Sequence, residues 1–311
     1  MNMFSYEYWG NNTLSISSNM AMEEYLLQRS EESRLATVRF WNVKKDAVVL
    51  GYSEATSAIK RRDNTFDVAR RITGGSHVEF DENALAYTFT VPRNGSFKYF
   101  EDMRKYFAEK VGNALTDMGI DNVSIDNRAS TINVDGRVIA SHAIFWGVKS
   151  ALMHGLLLIK PYDVDRIYER VALNERKIGR KTYTEYTALK NAPTVSAYVG
   201  VAGHATYISK ENKAAYVKEI AAKSILDNVT QGRHKEVKLN SGIIAAAEKL
   251  VADKHTGDPW FNYRIPNYTE KEVEAIPGET LNGALKEGLG YCLYIQVPDK
   301  DFAKMAQPDE Q

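Results

Sequence analysis

Two adjacent arginines run into a glycine pair in Arg70-Arg71-Ile72-Thr73-Gly74-Gly75, the segment of this chain with the most evident chemistry. An arginine presents a fixed fork of N–H donors that matches the oxygens of a carboxylate or phosphate. Gly74 and Gly75 admit backbone conformations closed to other residues and let an anion approach main-chain N–H groups. The combination suits a nucleotide-like or acyl-phosphate ligand; the competing reading is a solvated basic turn. Ser76 and His77 extend the turn, and His77 is either a ligand contact or an exposed turn histidine. Downstream, His142 is a candidate catalytic or phosphate-contacting group, set against a satisfied loop histidine. His154 reads as a strand histidine that orients backbone near the site, with Gly155 beside it.

These residues need a sheet and helices to bring them together. Asn19 to Leu27 has the pattern of a capped amphipathic helix. Thr37 to Trp41 and Ala47 to Leu50 read as strands around a Lys44-Lys45-Asp46 turn, and Ala84 to Val91 as a strand closed by Pro92. Phe66 to Arg70 leads into the arginine–glycine turn. Phe100 to Met118 has helical periodicity, and further helices are expected at 211–228 and 240–254. Ser130 to Val138 and Ala151 to Ile159 read as a strand pair around a loop of aromatic and small residues. The polar stretch 173–194 reads as a loop.

Composition excludes several classes. The chain has 311 residues, 44% of them hydrophobic, and 40 basic residues balance 40 acidic ones. Zero formal charge gives no general attraction to nucleic acid or to a membrane surface, so phosphate chemistry is expected to be local. No apolar run reaches the ~18 residues that span a bilayer. Met1 to Gly10 is aromatic and polar rather than the apolar core of a signal peptide, so a cytoplasmic protein is expected. The one cysteine, Cys292, cannot pair internally; its apolar surroundings favour an inert thiol over a nucleophile. The histidines lack metal-ligand spacing, and no structural metal is expected.

Several separated segments together resemble the lipoate-protein ligase A family, within the biotin/lipoate ligase and octanoyltransferase superfamily. Asn19-Met20-Ala21-Met22-Glu23-Glu24 is similar to its opening helix. Arg39-Phe40-Trp41 with Val48-Val49-Leu50-Gly51-Tyr52 resembles its "RFYxW…vviGrxQ" strands. Arg70 to Gly75 matches its "RRxTGG" signature, with Asp81 and Asn83 in the turn that follows. Val134-Asp135-Gly136-Arg137 leads into its "KxSGxA" position, and His154-Gly155-Leu156-Leu157-Leu158 is similar to its "HGTLLx" strand. Lys254 to Trp260 resembles its "KYxSxEW" close. The resemblance covers roughly residues 1–263, which are expected to form the ligase-like catalytic domain. Residues 264–311 are expected to be a small C-terminal extension or reduced accessory segment.

The resemblance implies an α/β chain of the α+β type: a central mixed β-sheet with flanking helices, class II biotin/lipoate ligase-like. It implies activation of lipoate or octanoate by ATP and Mg²⁺, with lipoyl-AMP as bound intermediate. The acyl group would then pass to a lysine on a lipoyl domain of a 2-oxoacid dehydrogenase or on the glycine cleavage H protein. A separate accessory protein could complete the site. Burying an eight-carbon chain in an apolar slot gives roughly 6 kcal/mol at about 0.8 per methylene. Trp41, Val49, Tyr87 and the glycine turn are candidate parts of that slot, with Arg70 or Arg71 near the carboxylate or α-phosphate.

The departures are as specific as the matches. Val138 occupies the place of the family lysine, the residue that would bridge acyl carbonyl and phosphate. Arg137 would point to the opposite face of the strand. His142, four residues beyond Val138, returns to the same face if the strand is regular and is the candidate substitute. Ser130-Thr131 replaces an expected Asn-Asp pair. Three readings follow: a ligase, a transferase using a preformed acyl donor, and a non-catalytic relative that binds acyl ligand or carrier.

Overall fold

The computed structural model describes residues 4–60, 64–171, 175–178, 181–184, 192–198, 210–255 and 260–261. The expected C-terminal extension and Cys292 lie outside the described residues. The first strand, β1 (Tyr6–Leu14), has no counterpart among the elements expected from sequence. Helix α1 (Ile16–Ser33) begins before the expected Asn19 start, because Ser15 caps it by accepting from the Ser18 N–H at 3.1 Å. Asn19 is instead an interior tie: its side chain donates to the carbonyls of Leu14 and Asn42 and accepts from Arg39.

There follow β2 (Ala36–Val43), β3 (Ala47–Leu50), β4 (Asp67–Arg70), β5 (Val78–Phe80) and β6 (Ala84–Pro92). Next come α2 (Phe100–Asp117), β7 (Val123–Asp126), β8 (Thr131–Val134), β9 (Arg137–Trp146) and β10 (Ser150–Leu158). The expected strand over Ser130–Val138 is therefore two strands, broken by a turn at Asp135 and Gly136, both at positive φ. The expected loop after it is β9, whose backbone pairs with β10 from Ala140 to Trp146. The chain continues through α3 (Val164–Arg170), β11 (Glu175–Ile178), β12 (Lys181–Thr184), α4 (Val195–Tyr198), α5 (Lys210–Thr230), β13 (His234–Glu236) and α6 (Ser241–Leu250). The paired strands β11 and β12 fall inside the stretch expected to be a loop, which has polar residues but no clear period.

Eight strands form one mixed sheet in the order β13-β1-β2-β6-β10-β9-β8-β7. β1 runs parallel to β13 and β2, and the remaining pairs are antiparallel. A separate three-stranded sheet, β4-β3-β5, covers part of one face.

Alternation sorts the side chains. Val38, Phe40, Leu85, Tyr87, Phe89, Met153 and Leu157 point to one face and meet Phe107, Val111 and Leu115 of α2 and Val217, Ile225 and Val229 of α5. Each such side chain contributes about 1.5–3 kcal/mol on full burial. The out-of-phase residues point to the opposite face, where Trp41 and Ala86 pack with Met20 of α1 and Val49 and Ala69 of the small sheet. β6 and β10 are buried along their whole length because both faces are covered. Among the described residues no helix is long and apolar enough to cross a membrane.

Candidate functional site

The face beneath α1 and the small sheet does not close completely. A cavity of about 300 Å³ lies between them. Trp41, Leu156, Ser141 and Thr131 of its floor belong to one row of side chains taken across the strands. Register pairs Trp41 with Ala86, Ala86 with Leu156, Leu156 with Ser141, and Ser141 with Thr131. Opposed residues on antiparallel strands share a face, so this row crosses β2, β6, β10, β9 and β8, a span of about 19 Å at ~4.8 Å per strand. The roof is Val49 together with the turn and strand from Gly74 to Phe80.

The two ends differ in chemistry. At the inner end the Trp41 and Phe80 rings stack with centroids 4.9 Å apart, beside Met20 and Val49. At the outer end the wall is Ser130, Thr131, Val138 and Ser141. Tyr87, expected in the slot, is one residue out of phase and faces the α2 core.

The arginine pair divides its labour. Arg71 belongs to the cavity wall, yet its guanidinium donates to Thr73 Oγ1, to the Val49 carbonyl, and to the carbonyls of Gly74 and Ser76 at 2.7 Å each. It is the frame of the glycine turn. Arg70 does not line the cavity. Its guanidinium donates to the carbonyls of Gly51, Tyr52, Glu54 and Phe261, and Trp260 Nε1 donates back to its carbonyl at 2.9 Å. Lys254 and His255 pair with buried Glu24, and the Lys254 ammonium sits 3.8 Å from the Trp260 ring centroid. Burial works against charge on Glu24, but Lys254 and His255 outweigh it and hold the carboxyl below the usual range. Lys254 and His255 are thereby fastened to α1, and Trp260 and Phe261 to β4.

The glycine turn depends on close backbone contact. Gly75 has φ +95°, and a Cβ on Gly51 would stand 1.7 Å from the Gly75 carbonyl oxygen. His77, expected as either a ligand contact or an exposed residue, is buried; its Nδ1 lies 2.6 Å from Glu54 Oε1, and Glu54 Oε2 accepts from the Gly51 N–H. Asp81 and Asn83 lie off the cavity. Asp81 accepts from the backbone and side chain of Asn83 and from Arg166, which closes the turn into β6.

His154 sits in the next cross-strand row, opposite Thr88 and Ala143. Its Nδ1 is 2.8 Å from Glu23 Oε2, and its Nε2 is 2.7 Å from Thr73 Oγ1. Trp41 donates to Thr88, and Thr88 donates to Glu23. The pattern fits the tautomer with hydrogen on Nδ1: Glu23 accepts it, and the Thr73 hydroxyl is left to donate to Nε2. This relay runs from the floor to the frame of the glycine turn. Nothing in the sequence marks Glu23, Thr73 and Thr88 as its members; Thr73 lies inside the arginine–glycine signature, but Glu23 is 131 residues from His154.

β9 is not regular. Its register against β8 shifts between Ile132 and Asn133, so Ile139 and Ala140 both face the α2 core. Val138 faces the cavity with Ser141; His142, which also contributes to the cavity lining, lies in the cross-strand row of Gly155 and Tyr87. A Cβ on Gly155 would fall 2.2 Å from the Tyr87 hydroxyl, so the Tyr87 ring occupies the space under that glycine. The bulge thus separates Val138 from His142, which a regular strand would have put on one face.

Burial, aided by Arg104 and His154, depresses the His142 imidazole to about 4, and neither ring nitrogen has a hydrogen-bond partner among the described residues. It is uncharged at neutral pH. A folded value below the ordinary 6.5 means the unfolded chain binds the proton more readily, so this group's contribution to stability is complete above 6.5 and is lost as pH falls toward 4. Comparing urea unfolding of wild type and His142→Gln across that window tests this. The variant should lose less stability, by up to about 3 kcal/mol.

A mixed sheet crossed by a cavity that is apolar at the Trp41 and Phe80 end and lined by hydroxyls at the other defines the site of an α+β domain. The lipoyl protein ligase A/B catalytic domain matches residues 15–195, more than half of the chain. The chain belongs to that family. Lipoate–protein ligase 1 of Staphylococcus aureus (strain Mu50 / ATCC 700699) is 26% identical over 272 residues, covering 85% of this chain and 75% of the relative. A solved lipoate-protein ligase A bound with ATP superposes with TM-score 0.62 at 16% identity, over 82% of this chain and 98% of that one. A bi-partite lipoate protein ligase from Thermoplasma acidophilum, studied with its E2 lipoyl domain, also gives 0.62 at 16% identity, over 81% and 96%. The fold is that of the biotin/lipoate ligase class, with its central mixed sheet and flanking helices.

Proposed function

We propose that this protein is lipoate-protein ligase-like: it holds a lipoyl or octanoyl group in the cross-strand tunnel and passes it to a lysine of a carrier domain. The observation that carries the reading is the tunnel's polarity. The acyl chain lies over Leu156 and Ala86 toward Trp41 and Phe80, and the carbonyl end rests near Thr131, Ser141 and Val138. The tether from Arg70 to Trp260 and Phe261 supports treating residues 1–263 as one catalytic unit. By analogy with the T. acidophilum ligase and its E2 lipoyl domain, the carrier is a lipoyl domain or the related H protein.

The fit to ATP is poor in the described residues. The wall has no lysine, Arg71 is engaged with carbonyls, Arg70 points elsewhere, and His142 is uncharged. Glu79, whose carboxyl burial pushes to about 7, is also in the wall. This favours, as second reading, a transferase that takes a preformed acyl donor.

The test is a mass shift on a purified lipoyl domain. Lipoyl-adenylate should modify it, while lipoate with ATP and Mg²⁺ should do so more slowly by about 10²-fold, the usual effect of a missing donor at developing charge. No shift from either donor would defeat the transfer proposal.

A further inference from the structure

We propose that the cavity selects acyl chains whose far end carries a hydrogen-bond donor, a hydroxyl or a thiol, and that Glu79 Oε2 accepts from it. This rests on reading the cavity as an acyl tunnel and adds what the ligand carries at the end remote from its carbonyl.

The lining does not stop at the cross-strand row. From Leu156 it runs two residues along β10 to Leu158, about 7 Å at ~3.4 Å per residue, and on to Tyr162 and to Ile167 of α3. β5 is the edge strand of the small sheet, and its Val78 and Phe80 pack over Leu156 and Leu158. Glu79, between them, has the opposite phase. It lies across from Val48, whose side chain packs with Ile167 on the α3 side. The cavity thus passes the edge of β5 and meets Glu79 beyond it.

The Glu79 carboxyl is 3% exposed and only half satisfied. Oε1 accepts from Arg170 Nη1 at 2.5 Å, whereas Oε2 is buried with no hydrogen-bond partner among the described residues. The cations beside it are committed elsewhere. Arg166 holds Asp46 at 3.0 Å and Asp81 at 2.7 Å, and its Nε stays 3.7 Å from Glu79 Oε1, beyond hydrogen-bond range. Arg170 divides itself between Asp46 and Glu79 Oε1. Three carboxyls therefore share two guanidiniums, and Oε2 is left without a donor. The same shortage shows in titration: burial pushes the Glu79 carboxyl up to about 7 against the pull of both arginines. A buried acceptor left unmet is costly; an O–H or S–H from the ligand meets it, and a methyl group or an ether oxygen does not.

Calorimetric titration of the full chain at pH 8, where Glu79 is mostly ionised, compares two matched pairs: ω-hydroxyoctanoate with nonanoate, and dihydrolipoate with lipoate. In at least one pair the donor-bearing acid should bind about 10-fold or more tightly, and that pair identifies the group as hydroxyl or thiol. ω-Methoxyoctanoate, which accepts but cannot donate, should bind no better than nonanoate. Glu79→Gln keeps an oxygen for Arg170 and replaces the other acceptor by N–H donors, so the preference should shrink to within about 2-fold. Urea midpoints confirm that the variant is folded, and the wild-type comparison does not depend on it. Equal binding within both pairs, as an ordered water on Oε2 would produce, or a preference retained in the folded variant, would overturn this proposal alone. Failure of all five compounds to bind would remove the acyl-tunnel reading with it.

Discussion

Val138→Lys is expected to raise ATP-dependent lipoylation of a lipoyl domain by about 10²-fold or more, the scale on which a charged donor at a developing negative charge acts. Val138 is half-buried and faces the cavity at its hydroxylated end. A lysine there can extend along the wall toward the acyl carbonyl without entering the α2 core, because the bulge at Ile139 and Ala140 keeps position 138 on the cavity side. Its ammonium would face a region where Arg71 is bound by carbonyls and His142 carries no charge at neutral pH. The measurement is the rate of mass gain on the acceptor with lipoate, ATP and Mg²⁺, compared with the rate from lipoyl-adenylate. Selective gain in the first would identify the missing cation as what limits activation. An equal change in both, or none, would place the limitation elsewhere. His142→Lys is a useful contrast: its side chain would enter the face occupied by Tyr87, and no such gain should follow.

Gly51→Ala should be the most damaging small substitution in the site. The new methyl group would stand 1.7 Å from the Gly75 carbonyl oxygen and 2.7 Å from its carbon, a contact that only backbone movement can relieve. The Gly75 segment is held by Arg71 through the carbonyls of Gly74 and Ser76, and Gly51 itself by Arg70, so neither partner is free to retreat. The expected cost is about 3 kcal/mol or more, toward the upper end for overpacking, together with loss of acyl binding. Gly74→Ala is the control. No atom lies within 4 Å of where its new methyl group would stand, and its φ is not in the left-handed region, so stability should change by less than about 1 kcal/mol. Urea midpoints and calorimetric titration with the tunnel's ligand measure both effects. If Gly51→Ala behaved like Gly74→Ala, the close approach of the two turns would not be a requirement of the fold.

The period-2 alternation in Thr37–Trp41 and Ala84–Val91, and the 3.6-residue period of Phe100–Met118, determined the strands β2 and β6 and the helix α2. Local hydrophobic pattern is sufficient for that, since it decides which face of an element can be buried. The ordered motifs likewise determined the family and drew attention to Arg71, Gly75, Val138 and His154. What they could not supply was direction. Whether an arginine faces a ligand or a carbonyl depends on which backbone groups arrive beside it, and Arg70 meets Phe261 across 191 positions of sequence. The separation of Val138 from His142 depends on one inserted residue in a strand pairing, and the partnership of Glu23 with His154 on α1 lying against β10. A side chain's type is local information, but its partner is chosen by packing between distant segments. The tertiary structure alone therefore decided that the conspicuous arginines hold the turn together, while two unremarkable hydroxyls face the tunnel.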